Sequence, residues 1–271
     1  MSIELAMIST HTPRMCHEEK VADFQKPLLE AMHKASERMH EMNPDVVVII
    51  STHWMASFNH FVDATPKHEG ILTSMESPEL ISDVPYNYPG DPELAEKLVE
   101  AGKNNGLPVE LVNDETYVWD YGTVVPLRYL IPNENLPVID LSVNWSASLE
   151  ESYQWGLQIG TVLRESEKRA VFVSSGALSH NMVRGPEKMP TLAEQALDNQ
   201  FIQYMLKSDF AAAKEMLPQF SRSAGVESGG RHLAVLLGVL EGSYQGNFQG
   251  TFLAYGPSSG TGNAIVTFDP S

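Results

Sequence analysis

Runs of consecutive apolar residues alternate along the chain with stretches whose apolar positions recur every three or four residues. Ile3–Ser9 is almost wholly apolar and stops at Thr10-His11-Thr12-Pro13, where proline ends regular structure. Between Val21 and Met42 the apolar residues Val21, Phe24, Leu28, Met32, Ala35 and Met39 keep helical spacing, and Pro27 either kinks this helix or marks its true start. After the breaker Asn43-Pro44-Asp45, the β-branched run Val46–Ile50 has the pattern of a strand buried on both faces of a mostly parallel sheet. It ends at Ser51-Thr52-His53-Trp54.

Residues 57–90, rich in Pro and Gly, read as a long irregular excursion. A helix follows over Asp91–Ala101, with Asp91 as its cap and Pro92 at its first position, and then a short strand near Val109–Val112. Val138–Val143 and Ala170–Ser174 are two further buried strands, separated by a helix over Leu149–Glu167. Helices are expected at Leu192–Leu206 and His232–Leu240, and Thr251–Tyr255 with Ala264–Phe268 forms a closing hairpin. The alternation predicts an α/β layered fold with a central, largely parallel or mixed sheet flanked by helices. No repeat or linker divides the chain, so residues 1–271 are expected to form a single domain.

Charge narrows the partners. With 18 Lys+Arg against 35 Asp+Glu the net charge is −17, a field that repels nucleic acid. No apolar run approaches the roughly 20 residues needed to cross a bilayer, and no leader pattern is visible at the N-terminus, so a cytoplasmic location away from membranes is expected. The single cysteine, Cys16, excludes an internal disulfide, and any metal would have to be held by His and carboxylate.

Candidate chemistry gathers at strand ends. Three of the nine histidines, His11, His53 and His180, follow predicted buried strands, where side chains distant in sequence converge in open α/β sheets. Of the other six, His17, His33, His40, His60 and His68 fall among polar residues and read as surface groups. Two histidines and one carboxylate make the facial set that suits ferrous iron, and spacing alone offers Glu227 or Asp120 as the carboxylate. Gly225–Gly230 lacks the order of a phosphate loop and reads as a tight turn, and no Gly-x-Ser-x-Gly elbow accompanies Ser174, Ser175 or Ser179.

On Ser9-Thr10-His11-Thr12-Pro13, Asn43-Pro44-Asp45 ahead of the strand ending at His53, Gly122–Leu127, and Gly176-Ala177-Leu178-Ser179-His180 with Gly185-Pro186, the sequence resembles the class III extradiol dioxygenases of the protocatechuate 4,5-dioxygenase catalytic-subunit type. The resemblance implies an oxygen-dependent ring cleavage, with His11 and His53 at the metal-histidine positions and His180 at the acid/base position. It also implies two departures: Tyr121 stands where the family has a second histidine, and His232 falls on the metal glutamate. A chain with both departures is similar to the α subunits of 2-aminophenol 1,6-dioxygenases. The implied role is a non-catalytic, stabilising subunit, without metal or cofactor of its own, in an α2β2 heterotetramer. Its homologous catalytic β subunit would hold Fe(II) and open 2-aminophenol, or a chlorinated relative, to 2-aminomuconate 6-semialdehyde or its analogue. In this chain His11, His53, His232, His180 and Tyr121 would be a pocket remnant. The alternative is a self-sufficient Fe(II) extradiol dioxygenase using His11, His53 and either His232 or Glu227.

Overall fold

The computed structural model describes residues 3–244 and 247–271. Its centre is an eight-stranded mixed sheet, built from β1 (Ile3–Ser9), β2 (Val46–Ala56), β3 (His60–Asp63), β6 (Val109–Val112), β7 (Val138–Asn144), β8 (Ala170–Ser175), β9 (Phe248–Ser258) and β10 (Thr261–Pro270) in the order β6-β3-β7-β2-β8-β1-β10-β9. The inner strands β7, β2, β8 and β1 are mutually parallel, whereas β10 and β9 close one side antiparallel. A separate two-stranded ribbon, β4 (Lys67–Leu72) with β5 (Val84–Pro89), lies in the stretch expected to be irregular. That stretch therefore holds three strands; they are only four to six residues long, and Gly70 in β4 and the prolines of β5 masked their pattern.

Both faces of the inner strands are covered, as their unbroken apolar runs require. Side chains of successive residues leave opposite faces. Val46, Val48 and Ile50 pack with α2 (Pro92–Asn104), α4 (Leu149–Glu165) and α7 (Arg231–Tyr244). Val47 and Ile49 pack with α1 (Lys26–Glu41) and α3 (Tyr121–Leu130). Helix α1 starts at Lys26 with Pro27 in its first turn, so the proline marks the start and does not kink the helix. Helix α5 (Leu192–Leu206) opens with a capping box between Thr191 and Glu194.

Two helices were not anticipated, α3 and α6 (Phe210–Ala224), and each contains an internal proline, Pro126 and Pro218. Proline argues against a helix because it lacks the N–H that bonds four residues back. In α3 that loss is put to use: the carbonyl of Gly122, four residues before Pro126, accepts a hydrogen bond from Ser175 Oγ instead (2.5 Å). His60 and His68, expected at the surface, are buried. Among the described residues, no helix is long and apolar enough to cross a membrane.

Candidate metal centre

Because β1, β8 and β2 run parallel and in register, with Ser9 opposite Ser175 and Ser175 opposite Ser51, their carboxyl ends share one edge of the sheet. His11 leaves the end of β1. His53 is carried by an irregularity in β2: Ser51 pairs with Ser142 and Met55 with Val143, so Thr52, His53 and Trp54 are extra residues that bulge from the ladder. A bulge re-aims side chains, and this one directs His53 and Thr52 towards the same edge.

The third group comes from a turn ahead of α7. Gly225 ends α6 in the left-handed region, and after Val226 and Glu227 the chain holds Ser228, Gly229 and Gly230 at φ of 50°, 64° and 79°. Only glycine enters that region without steric cost, which explains the glycine-rich stretch. The turn buries Glu227 between the histidines.

Glu227 Oε1 lies 3.4 Å from His11 Nε2, 3.5 Å from His53 Nε2 and 3.9 Å from His180 Nε2. One ligating atom each from His11, His53 and Glu227 falls within 4.8 Å of the others, and among the described residues this is the one such group of three His, Cys, Asp or Glu. Its outer bonds are made. Ser175 donates its hydroxyl proton to Gly122 and so accepts from His11 Nδ1–H (2.9 Å), which leaves His11 Nε2 as a free lone pair aimed at Glu227. Thr52 Oγ1 donates to Glu227 Oε1 (2.8 Å) and the Ala177 amide to Oε2 (2.5 Å). On the far side of His53, Nδ1 faces Glu76 Oε1 at 3.6 Å.

Electrostatics agree with the geometry. Burial opposes the charge on Glu227, yet His11, His180 and His53 hold its carboxyl well below the usual range. Burial likewise pulls the His11 pKa down, but Glu227, Asp120 and Glu76 together raise it. At His53 burial and the adjacent His11 win, and its pKa is lowered. The donor set fits a divalent transition metal: two imidazole nitrogens and one carboxylate oxygen, from three segments, at the buried end of a pocket.

The residues expected from the sequence separate accordingly. His232, aligned by resemblance with the metal glutamate, does not belong to the converging group. It lies wholly buried behind Gly176 and Thr52, neither ring nitrogen has a hydrogen-bond partner among the described residues, and burial pushes its pKa down to about 4. The carboxylate among the histidines is Glu227, five residues earlier. The displacement has a local cause, since the three left-handed residues put an extra loop between the carboxylate and α7. Asp120 caps α3, accepting from the Thr123 amide and from Ser51 Oγ, and is not in the group either. Tyr121, the first residue of α3, stacks its ring 4.0 Å from that of His53 and donates to Glu76 Oε2 (2.7 Å). Burial first, and then Glu76, raise its pKa, so the phenol keeps its proton.

A pocket of about 230 Å³ opens over these groups, lined by His11, His53, Tyr121, His180 and Glu227 at depth and by Glu76 and Met182 towards solvent. Sequence reading missed Glu76, which sits in the 57–90 stretch, and Ser175, which carries no motif. A larger groove of about 620 Å³ beside α4 and α6 has no converging set of ligating atoms.

A His/His/carboxylate group at the carboxyl ends of a mostly parallel sheet is a donor set that metal enzymes use, at the edge where α/β sheets bind ligands. The chain belongs to the family of the catalytic LigB subunit of aromatic ring-opening dioxygenases, the class III extradiol enzymes, whose family model matches residues 5–268. Within it, the chain is 25% identical to 3,4-dihydroxyphenylacetate 2,3-dioxygenase of Escherichia coli, over 88% of this chain and 90% of the relative. It is 28% identical to the β subunit of 2-aminophenol 1,6-dioxygenase of Pseudomonas sp (97% and 92% covered) and 25% identical to the α subunit of the same enzyme (88% and 89% covered). The crystal structure of the uncharacterized protein JW3007 from Escherichia coli K12 superposes with a TM-score of 0.68 at 21% identity, over 97% of this chain and 99% of that one, and so shares the fold.

Proposed function

We propose that this chain is itself a ring-cleaving enzyme, holding divalent iron on His11, His53 and Glu227 and opening an ortho-dihydroxy or ortho-aminohydroxy aromatic ring beside the two substituents. The observation that carries this reading is the convergence of the three ligating atoms around a buried carboxylate whose outer hydrogen bonds are already made. Ferrous iron in such a site supplies open coordination positions for the ring substituents and for dioxygen. The chain's own groups do the rest. Ser175 orients His11, and Thr52 with the Ala177 amide orients Glu227. His180, half-buried on the pocket wall, is placed to take the proton from a ring hydroxyl and return it to the opening product. Tyr121 keeps its proton and serves as a hydrogen-bond donor and a ring wall, not as a proton shuttle.

The second reading is the supporting α-type subunit, without iron of its own, beside a β-type partner of the same fold. Tyr121, where the resemblance places a histidine, favours it, as does similarity to both subunits of a two-subunit dioxygenase. One experiment separates the two. The chain is purified alone, reconstituted anaerobically with ferrous iron, and assayed for bound iron and for oxygen uptake on 2-aminophenol and 4-methylcatechol. About one iron per chain with oxygen uptake is the expected result. No iron and no uptake until a β-type chain is added would overturn it in favour of the second reading.

A further inference from the structure

The described lining of the pocket has histidines but neither lysine nor arginine: it consists of His11, Thr12, Pro13, His53, Glu76, Tyr121, Ala177, His180, Met182, Glu227, Ser258, Thr261 and Asn263. Arg14 and Arg184, close to lining residues in sequence, lie outside it, and Arg231 is turned away onto the carbonyls of Ala147 and Ser228. The carboxylates acting on His11, His53 and Tyr121 are those of Glu227, Asp120 and Glu76. Of these, Glu227 sits at the buried end, where a metal's charge would offset it, and Asp120 is tied to Ser51 and Thr123. Glu76 stands apart: its side chain is 63% exposed at the open end of the pocket, held there by Tyr121.

From this we infer that the pocket selects aromatic rings by the charge of the substituent remote from the reacting pair, accepting neutral and ammonium-bearing groups and rejecting carboxylates, with Glu76 as the residue that sets the preference. The inference rests on the ring-cleaving function proposed above. A ring held by its two ortho substituents at the buried end directs its other end towards Glu76 and Met182. A carboxylate there meets a like charge with no Lys or Arg to offset it, whereas an ammonium group meets an opposite charge at a partly solvated rim, where a single contact is worth up to about fivefold in affinity. The net charge of −17 acts in the same direction over longer range.

The test is anaerobic calorimetric titration of the iron-loaded chain with three catechols that differ only at the remote position: 4-methylcatechol, 3,4-dihydroxyphenylacetate and 3,4-dihydroxyphenethylamine. The amine should bind most tightly, and the acid about fivefold weaker than the methyl compound. Glu76→Gln should narrow the spread between acid and amine by about tenfold, each Kd being taken relative to that of 4-methylcatechol so that any general disturbance of Tyr121 or His53 cancels. Met182→Lys, a change at an exposed rim position, should shift the preference towards the acid. An acid that binds as tightly as the methyl compound, or a spread that Glu76→Gln leaves untouched, would overturn the inference while the ring-cleaving function stands. A chain that binds neither iron nor 4-methylcatechol overturns both.

Discussion

Two imidazole–carboxylate clusters among the described residues, one around Asp63 and one around Glu227, are buried on both sides and differ in what is left unbonded. In the first, His68 Nδ1 is 3.2 Å from Asp63 Oδ2 and its Nε2 is 3.2 Å from the Val138 carbonyl. Asp63 is filled as well, accepting from Trp119 Nε1 and from the Thr65 amide. Every polar atom there has a partner, the ring of Trp119 covers the pair, and the cluster fastens the β4–β5 ribbon to the main sheet. In the second, His11 is tied down at Nδ1 alone, and the Nε2 atoms of His11 and His53 meet one carboxylate oxygen at 3.4 and 3.5 Å beside an open pocket. A closed cluster stabilises structure. An anchored cluster with convergent free lone pairs can bind.

That contrast breaks most sharply at Glu227. Glu227→Ala should bring iron content from about one per chain to near zero and lower ring-cleaving turnover by roughly 10³-fold or more, since a ligand contributes more than the 10–100-fold of an outer partner; metal analysis and oxygen uptake read both. The opposite signature is expected at Asp63→Ala, which strands His68 in a dry interior. It should cost about 3–5 kcal/mol in denaturant unfolding, while iron per folded chain stays unchanged.

A third case sharpens the comparison through pH. Asp198, on α5, accepts from the Ser179 amide, Ser179 Oγ and Tyr255 Oη beneath the segment that carries His180, and burial raises its pKa to about 6. A carboxyl whose pKa is higher folded than unfolded contributes stability below its unfolded value, and that contribution is lost as pH rises through the folded value. Between about pH 4 and pH 6 the protein should therefore lose roughly 3 kcal/mol of stability relative to Asp198→Asn, which cannot ionise. Denaturant curves of the two proteins across that range should diverge, and parallel curves would remove Asp198 as their cause. The smallest effect is expected at Ser175→Ala, which frees His11 Nδ1 without touching a ligand. Iron affinity should fall about 10–100-fold by competition with a chelator, with about 1–3 kcal/mol lost in unfolding because the Gly122 carbonyl loses its donor.

The resemblance and the pattern of buried runs placed much of this on the sequence itself. The inner strands, α1, α2, α4, α5 and the C-terminal hairpin follow from apolar periodicity, and His11, His53 and His180 stand out because each follows such a strand. Helix α3 was hidden by Pro126, because the breaker rules are local and cannot see a carbonyl bonded by a serine fifty residues away, and β3–β5 by their shortness and by the Gly and Pro residues in and around them. Spacing offered Glu227 and Asp120 on nearly equal terms, since it carries no direction, and the resemblance put the metal-glutamate position on His232. Direction came from the tertiary structure. Three left-handed residues swing Glu227 into the gap between two strand ends and carry His232 behind it, while capping holds Asp120 on α3. Composition determined the acidic surface and the absence of a disulfide. Which acid faces the histidines, and which two histidines turn a free nitrogen towards it, was decided only when distant segments met at one edge of the sheet, because a ligand set is a property of converging vectors and not of residue order.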